Sequence, residues 1–216
     1  TELRDRNTVY APGLFQDQAV VVTGAGGGLG LAIAALFARL GARLAICGRN
    51  PEKLESAAEF LRSFGGEVMA REMTIRDPEQ VAAFVDAVHE RFGGLNVLVN
   101  NAGGQFPQPA LDFSIKGWNA VIDTNLNGTW WMMQAVAKNW VETGTQGNIV
   151  SIVADVWRGM PGIAHTAAAR AGVIFLSKSV AVEWAPYGVR VNCVAPGCCE
   201  STGFGNYPAE GAATFK

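Results

Sequence analysis

The sequence predicts an α/β protein with a doubly wound, mostly parallel sheet, the Rossmann-like arrangement of three α/β/α layers. Strand-like and helix-like segments alternate along the chain, which is typical of parallel crossovers. The strand-like segments are largely apolar rather than alternating, so both faces of the sheet are expected to be buried. A glycine-rich turn joins the first strand to the first long helix, at the edge of the sheet where such folds bind ligands.

The individual elements follow from the periodicity of apolar residues. The predicted strands cover residues 19–24, 43–48, 67–73, 96–100, 147–153 and 189–197. The apolar residues that recur on one face of the first predicted helix are Leu29, Ile33, Leu36, Phe37 and Leu40. Two longer helical stretches are predicted at 117–141 and 162–185.

The composition indicates one domain over residues 1–216. Of the 216 residues, 49% are hydrophobic and 17% are charged, and the net charge is −2, which suits a chain with a substantial core. The charge is close to neutral and forms no basic stripe, so a nucleic-acid partner is not expected. No apolar run is long enough to span a bilayer and the polar start is unlike a signal peptide, so no membrane association is expected.

The four cysteines form neither a CxxC pair nor a cluster with metal-ligand spacing. This predicts no metal site and a reducing, intracellular location such as the cytoplasm. Cys47 and Cys193 lie in apolar runs and are expected in the core. Cys198 and Cys199 are expected to be more exposed, and a reactive thiol there is an alternative, although no activating His or Lys is near in sequence.

Five tryptophans lie in the two long helical stretches. They are Trp118, Trp130, Trp131, Trp140 and Trp184. Packing in the core explains this clustering, and so does an interface between the helix pair and another subunit. A homo-oligomer, either a dimer or a tetramer, built through these helices is therefore one of two open interpretations.

The glycine-rich turn TGAGGGLG, residues 23–30, follows the first strand directly and opens a helix. Glycines let backbone N–H groups approach a pyrophosphate closely, and the helix N-terminus adds a favourable partial charge. Because the strand–turn–helix context is right and the turn occupies the first crossover, the motif predicts dinucleotide binding.

Together with this turn, three further stretches are similar to those of the short-chain dehydrogenase/reductase family. They are NNAG at 100–103, IDTNLNGT around Asn125, and VRVNCVAPG, and the chain resembles the family along essentially its whole length. The resemblance implies that NNAG supports the sheet beside the adenosine half of a nicotinamide cofactor and that Asn125 helps to hold the active site together. The residues expected to bind the cofactor are Gly24, Gly26, Gly28, Leu29, Gly30, Arg49, Thr74, Ile75, Asn101, Ala102, Gly103, Arg170, Pro196 and Gly197.

The end of the second predicted strand favours NADP(H) over NAD(H). An acidic residue there would bind the ribose hydroxyls of NAD and repel a 2′-phosphate. This chain has Gly48, then Arg49 and, a turn later, Lys53, which offer space and positive charge to a phosphate. The alternative is that Arg49 only caps the strand end. Thr74 stands where many family members have an Asp facing adenine, so that contact is not carried over.

The family's usual proton relay consists of a Ser, a Tyr and a Lys four residues after the Tyr. In this chain Thr166 takes the place of the Tyr and Arg170 that of the Lys, while the Ser position falls near Val153 or Ala154. A Thr hydroxyl is too weak an acid to replace Tyr, and Arg stays protonated. Because general acid–base help contributes about 10²–10⁴-fold, ordinary ketone/alcohol interconversion is disfavoured.

Reduction of a conjugated double bond makes different demands. Hydride addition to an α,β-unsaturated thioester places negative charge on the thioester oxygen, which needs hydrogen-bond donors rather than full protonation. Thr166, Asn125 and backbone N–H groups are the candidate donors, and Arg170 is expected to hold the cofactor ribose or phosphates.

Three residues are candidates for the proton donor. His165 has the right pKa range, the alternative being an ordinary polar residue at a helix start. Asp123 and Asp155 are further candidate acids, each with a solvated loop carboxylate as the alternative.

Four longer stretches carry a closer resemblance, to the peroxisomal trans-2-enoyl-CoA reductases and dienoyl-CoA reductases. They are APGLFQDQ (11–18), NNAGGQF (100–106), KGWNAVIDTNLNGT (116–129) and HTAAARAGV (165–173). The resemblance implies NADPH-dependent reduction of a fatty 2-enoyl or dienoyl thioester, an acyl-CoA, at a site without the usual Tyr. Some relatives carry a Tyr where this chain has Ile174, so any role of that Tyr is not transferred.

Two alternative functions remain open from the sequence. One is a carbonyl or alcohol oxidoreductase with an atypical proton donor, and the other is a non-catalytic NADP-binding sensor. The family resemblance also implies that residues 198–216 belong to a substrate lid and that the lid and the last strand are incomplete here. A peroxisomal location is expected if the source is eukaryotic, with an address signal that these residues do not show.

Overall fold

The computed structural model describes residues 2–197 and Cys199. Its six strands are β1 Ala19–Thr23, β2 Arg43–Gly48, β3 Val68–Glu72, β4 Val97–Asn100, β5 Gly147–Ile152 and β6 Val189–Val194. They form one sheet in the order β3-β2-β1-β4-β5-β6, and every neighbouring pair is parallel. The strand order reverses between β1 and β4, which is where doubly wound sheets bind ligands. The predicted fold class is confirmed.

Helices cover both faces of this sheet. They are α1 Glu2–Asp5, α2 Gly28–Arg39, α3 Pro51–Arg62, α4 Pro78–Phe92, α5 Ile115–Ile122, α6 Gly128–Thr143 and α7 Ala164–Trp184. One buried apolar cluster joins α2 and α3 to the sheet, and the other joins α4, α6 and α7 to its opposite face. Among the described residues, none of the helices has the length and apolarity needed to cross a membrane.

The five apolar residues predicted on one face of the first helix lie partly in the core. Leu40, just after the helix, is buried, and Ile33 and Phe37 are partly buried and pack against the buried cluster. The fully buried residues of α2 itself are Gly30, Ala34, Ala35 and Ala38. Small side chains let the helix backbone lie close to the strands at the glycine-rich turn, and the larger apolar residues flank this contact. Hydrophobic periodicity favoured the bulkier residues because it weighs size and not the required approach distance.

The predicted helix at 117–141 is interrupted in the structure. Residues Asp123–Asn127 form a π-helical turn between α5 and α6, and such turns are frequent at functional sites. This turn carries Asn125, which is 1% exposed. The interruption therefore places the predicted site residue on an irregular segment inside the protein.

The tryptophans divide between core and surface. Trp140 is fully buried and its indole N–H donates to the Leu95 carbonyl. Trp130 and Trp184 stack with ring centroids 6.2 Å apart on the partly exposed faces of α6 and α7. Core packing thus accounts for Trp140, and Trp130, Trp131 and Trp184 are partly buried and pack against the same cluster. An interface with another subunit remains a prediction for the outer faces of the two helices.

The cysteines are placed as follows. Cys47 is buried, as predicted, and burial raises the pKa of its thiol to about 12, so this thiol is unreactive. Cys193 is only partly buried and its thiol donates to the Ser177 hydroxyl. Cys199 is exposed, and Cys198 lies outside the described residues, as do residues 200–216, where the lid was expected.

Candidate active site

The glycine-rich turn between β1 and α2 has no room for side chains at two of its positions. Gly24 has φ +68°, and a Cβ there would stand 2.8 Å from the Ala102 Cα. A Cβ on Gly30 would stand 2.5 Å from the Gly24 carbonyl oxygen. The turn therefore needs glycine for its own conformation, and its backbone remains uncovered toward the cavity beside it.

The NNAG segment ties this turn to the end of β4. The Asn101 carboxamide donates to the carbonyl oxygens of Thr23, at 2.9 Å, and Gly24, at 3.2 Å. The Thr23 hydroxyl accepts the backbone N–H groups of Asn101, at 3.1 Å, and Ala102, at 3.0 Å. These bonds fix the switch point, where β1 and β4 end side by side.

A cavity of about 1040 Å³ opens at this edge of the sheet. It is bounded by the turn, the end of β2, the start of α3, the loop after β3 and the NNAG segment. Its size suits a large ligand, and the uncovered N-terminal turn of α2 offers N–H donors to a pyrophosphate. The residues present therefore fit a dinucleotide.

The end of β2 has a cationic rim. Arg49 and Lys53 line the cavity and are exposed, and neither is engaged in an ion pair within the described part of the chain. Asn50 caps α3, because its side chain accepts the Lys53 backbone N–H at 2.8 Å. Glu52 is the acidic residue of the lining. Free guanidinium and ammonium groups at this point suit a phosphate more than a pair of hydroxyls.

The loop after β3 forms the wall where adenine is expected. Thr74 donates its backbone N–H to the Gln80 side chain at 3.1 Å, and Ile75 packs against Gly128 at the start of α6. Arg76, which the sequence reasoning missed, also lines the cavity. Its guanidinium donates to the Thr124 hydroxyl and, at 2.8 Å, to the Ala120 carbonyl. A cation in the loop after a strand at the ligand-binding edge, four residues past the end of β3, was the signal that could have found Arg76.

Asn125 uses its carboxamide to hold a loop. Its oxygen accepts the Gly104 backbone N–H at 2.9 Å and its amide nitrogen donates to the Gly104 carbonyl at 2.9 Å. Both ends of the side chain are therefore engaged with the segment that follows NNAG. In this geometry Asn125 positions that segment.

Arg170 lies on α7 and reaches across to the ends of β4 and β5. Its Nη1 donates to the Ile152 carbonyl at 2.9 Å. Its Nη2 occupies the space that a Cβ on Gly103 would take. Burial lowers the pKa of the guanidinium to about 10. It therefore stays protonated at neutral pH and offers donors without relaying protons.

His165 and Thr166 form the buried first turn of α7. The Thr166 backbone N–H donates to His165 Nδ1 at 2.8 Å, and the Thr166 hydroxyl lies 3.4 Å from the same nitrogen. Phe106 and Phe113 flank the imidazole with centroid distances of 4.7 and 4.4 Å. The buried Nε2 has no hydrogen-bond partner, and burial lowers the pKa of the ring, so the imidazole is neutral at neutral pH.

The expected Ser position and the two candidate acids, Asp123 and Asp155, each have local contacts. Val153 is buried, and Ser151, two residues earlier on β5, faces Asn100. Asp123 accepts a hydrogen bond from Asn127, and Asp155 accepts the Trp157 backbone N–H.

The structure gives neither carboxylate a contact with Arg170 or His165. Pro196 and Gly197 follow β6 at the same edge of the sheet as the cavity.

The cavity lies beside the glycine-rich turn at the switch point of a parallel sheet, and fixed hydrogen-bond donors on α7 lie next to it. This arrangement is that of a dinucleotide-dependent oxidoreductase with a Rossmann-like fold. The chain belongs to the short-chain dehydrogenase family, whose model, described as "short chain dehydrogenase", matches residues 18–210. It is therefore an oxidoreductase that uses a nicotinamide cofactor.

Several relatives share this fold and much of the sequence. A Bacillus subtilis (strain 168) protein named "Probable 2,4-dienoyl-CoA reductase" is 39% identical over 191 residues, which cover 88% of this chain and 75% of that protein. A peroxisomal 2,4-dienoyl-CoA reductase of Danio rerio is 36% identical over 90% of this chain and 65% of its own length. The solved structure of a citronellol catabolism dehydrogenase from Pseudomonas aeruginosa PAO1 superposes with a TM-score of 0.83 at 41% identity, over 88% of this chain and 78% of that one.

Proposed function

We propose that this protein reduces the carbon–carbon double bond of a 2-enoyl or 2,4-dienoyl thioester, an acyl-CoA, with NADPH. The observation that carries the proposal is the first part of α7, where Thr166 and Arg170 stand in place of a Tyr and a Lys. These residues offer hydrogen-bond donors and no group that exchanges a proton near neutral pH. The relatives named as dienoyl-CoA reductases support the same chemistry.

Conjugate reduction suits such a site. A nicotinamide cofactor, when bound, supplies a hydride. The substrate carbon chain gains it, and the thioester oxygen becomes negatively charged. Fixed donors that point to this oxygen stabilise the charge, as in an oxyanion hole. Thr166, backbone N–H groups of the segment after NNAG, and the neutral ring of His165 are the donors proposed here.

The remaining site residues position these donors. Asn125 holds Gly104, and thereby the segment that leads to Phe106 beside His165. Arg170 fixes the ends of β4 and β5 and places a cation where the cofactor ribose or phosphates would lie. The proton that the substrate carbon takes up to complete the reduction comes from water. His165 is less favourable as its source because burial lowers the pKa of the ring, and Asp123 and Asp155 are less favourable because each is already engaged in a local hydrogen bond.

The preference for NADPH over NADH rests on the rim of the cavity. Gly48 leaves space at the end of β2, and Arg49 and Lys53 bring charge without a paired acid among the described residues. Residues of the turn, Thr74, Ile75 and the NNAG segment are proposed to contact the rest of the cofactor, and Pro196 and Gly197 its nicotinamide end.

The proposal is tested by NADPH oxidation with trans-2-enoyl-CoA and 2,4-dienoyl-CoA esters beside a panel of ketones, including a 3-ketoacyl-CoA. We expect turnover of the conjugated thioesters and rates for ketones lower by about 10²-fold or more, since no proton relay assists them. Turnover of ketones with none of the thioesters would overturn the proposal.

A carbonyl or alcohol oxidoreductase is the second candidate. A Gluconobacter oxydans relative named gluconate 5-dehydrogenase is 35% identical, and the citronellol dehydrogenase structure superposes closely. The double variant Thr166→Tyr, Arg170→Lys restores the residue types of a proton relay. If the second candidate were right, the unaltered protein would already reduce ketones and the double variant would leave that rate unchanged.

We propose that the protein forms a homo-oligomer through the outer faces of α6 and α7. Phe175 and Val182 on α7 are 65% and 77% exposed, and Trp130 and Trp184 stack on the partly exposed face between the two helices. Light scattering, which gives the mass in solution of the protein and of the variant Phe175→Ser, tests this. If both proteins have the mass of one chain, the proposed association is wrong.

A further inference from the structure

Arg76 joins the loop after β3 to the helical segment that carries Asn125. Its guanidinium donates to the Ala120 carbonyl at 2.8 Å and to the Thr124 hydroxyl. The Thr124 hydroxyl donates in turn to the same carbonyl at 2.8 Å, and a carbonyl oxygen can accept both bonds. Ala120 lies in the last turn of α5 and Thr124 in the π-helical turn that follows, so Arg76 is bound where the two meet.

The π-helical turn is a rare conformation, and contacts on two sides hold it in place. The Gly128 backbone N–H donates to the Asp123 carbonyl, five residues earlier, whereas an α-helix pairs residues four apart. Ile75 packs against the end of the turn, because a Cβ on Gly128 would stand 2.6 Å from the Ile75 Cγ1. Ile75 and Arg76, which are neighbours in the chain, therefore hold the turn at its end and at its start.

The loop that supplies these two side chains is itself anchored. The Thr74 backbone N–H donates to the Gln80 side chain at 3.1 Å. Asp77 caps α4, because its side chain accepts the Glu79 backbone N–H at 3.0 Å. A guanidinium suits a link from such a fixed base, since its planar fork presents several donors at once and bonds from a charged donor are stronger than those between neutral groups.

The turn that Arg76 holds carries the residue that positions the segment after NNAG. Asn125 is 1% exposed, and its carboxamide both accepts from and donates to Gly104, each bond being 2.9 Å long. A side chain engaged at both ends tolerates little movement of its backbone, because hydrogen bonds of this kind span only about 2.7–3.2 Å. The position of Gly104 therefore depends on the contacts that Arg76 makes.

The surroundings of Arg76 distinguish this role from two others. Its partners are a neutral carbonyl and a hydroxyl, and it makes no ion pair within the described part of the chain, so it is not the cation of a surface salt bridge. Arg76 also lines the cofactor cavity. A bond to the cofactor would use its Nη1, because Nε and Nη2 are engaged on the helical segment.

We infer that Arg76 is a positioning residue, which holds the π-helical turn and thereby sets Asn125 and Gly104 in the arrangement that the reduction needs. The inference links the wall where adenine is expected to the donor segment at the other end of the site. Its structural part stands independently, and its effect on turnover rests on the proposed function.

Hydrogen exchange of the Gly104 amide, measured by NMR on the protein without cofactor or substrate, tests the structural part. Arg76→Met removes the donors and Thr124→Val removes one acceptor. We expect each to speed this exchange about fivefold or more, because the bond to Asn125 opens more often. Thr124→Ser keeps the hydroxyl and should keep the slow exchange.

The matched control is Arg71→Met. Arg71 is an exposed residue of β3 whose side chain makes neither a hydrogen bond nor an ion pair with the other described residues, so the Gly104 exchange should stay unchanged. In an Asn125→Ala background the Gly104 amide has already lost its acceptor, and Arg76→Met should not speed its exchange further.

Kinetics separate positioning from cofactor binding. With a 2,4-dienoyl-CoA and saturating NADPH, we expect Arg76→Met to lower kcat about tenfold while the Kd of NADPH changes by less than about threefold. Arg76→Lys has a single donor group in place of the fork and should restore part of kcat.

Three results would overturn the inference. They are an unchanged Gly104 exchange in Arg76→Met and Thr124→Val, a further increase of the exchange by Arg76→Met in the Asn125→Ala background, and a Kd of NADPH raised about tenfold with kcat kept, which would make Arg76 a direct ligand of the cofactor. Thermal unfolding shows whether each variant is folded, and Thr124→Val carries the exchange test if Arg76→Met does not fold. Failure of the proposed function is distinct, because it would show as no turnover of any enoyl or dienoyl ester by the wild type, whereas the exchange needs no substrate.

Discussion

Gly103 and Arg170 are expected to be coupled, and this can be measured. The guanidinium of Arg170 lies directly above the Gly103 Cα, so the methyl group of a Gly103→Ala variant would occupy its position. Gly103 does not have a positive φ, so backbone strain does not add to the effect. The guanidinium would have to leave and would lose its bond to the Ile152 carbonyl.

A displaced guanidinium would also lose the hydrogen bond that we propose it makes to the cofactor. A hydrogen bond from a charged group contributes about 1.5–3 kcal/mol, and loss of such a bond in the transition state corresponds to about 10- to 150-fold in kcat/KM for the NADPH-dependent reduction of a 2,4-dienoyl-CoA. Arg170→Lys removes the planar head that meets the new methyl group. In that background the same Gly103→Ala change should lower kcat/KM by less than about threefold.

The assay is NADPH oxidation by the four proteins of this double-mutant cycle, with thermal unfolding as the control for stability. Non-additivity of about 1 kcal/mol or more is expected. If the two changes simply multiplied, Arg170 would not occupy the space above Gly103 and the site geometry described above would be wrong.

Three further predictions, which use four variants, test other parts of the site. Arg49→Asp should shift the preference from NADPH toward NADH by about tenfold in the ratio of their kcat/KM values, since it replaces a cation at the phosphate position with an acid; an unchanged ratio refutes the assignment. Gly30→Ala should lower the melting temperature, because the added Cβ would stand 2.5 Å from a backbone atom. Gly26→Ala should keep the fold, because its Cβ would lie 3.6 Å from its nearest neighbours, and should weaken NADPH binding at the glycine-rich turn. Burial lowers the pKa of His165, so the folded protein favours the neutral ring. Above about pH 6.5 the ring is neutral in the unfolded chain as well, and the full stability is present. As the pH falls below this value, the unfolded chain binds the proton more readily than the folded protein does, so the free energy of unfolding decreases. His165→Phe should flatten this part of the pH dependence of unfolding measured in urea, and an unchanged pH dependence would show that another group is responsible.

The sequence predicted the sheet and its ligand-binding edge because both depend on local patterns. Apolar strands such as β1, and the glycine-rich turn that follows it, are decided by residues within a few positions of one another. On α2 the apolar pattern did not locate the residues nearest the sheet, because the close contact there selects small residues such as Ala34 and Ala38.

The candidate site was predicted in part. The glycine-rich turn could be located from its spacing and its strand–turn–helix context, and the NNAG segment from the resemblance to a known family, because each acts within one turn or strand end. The roles of the side chains depend on contacts between distant segments, such as Asn125 with Gly104, Arg170 with Ile152, and Phe113 with His165. The anchoring of Arg76 on Ala120 and Thr124 spans more than 40 residues and has no local signal.

The position of the transferred hydride tests the central claim most directly. The protein would be supplied with a 2,4-dienoyl-CoA and with NADPH that carries deuterium at C4, and the product examined by mass spectrometry and NMR. The proposed function predicts one deuterium on a carbon of the acyl chain, one double bond fewer, and an intact thioester carbonyl. The proposed function would be contradicted if the acyl chain stayed unlabelled while a ketone supplied in parallel was reduced to an alcohol with deuterium at its carbinol carbon.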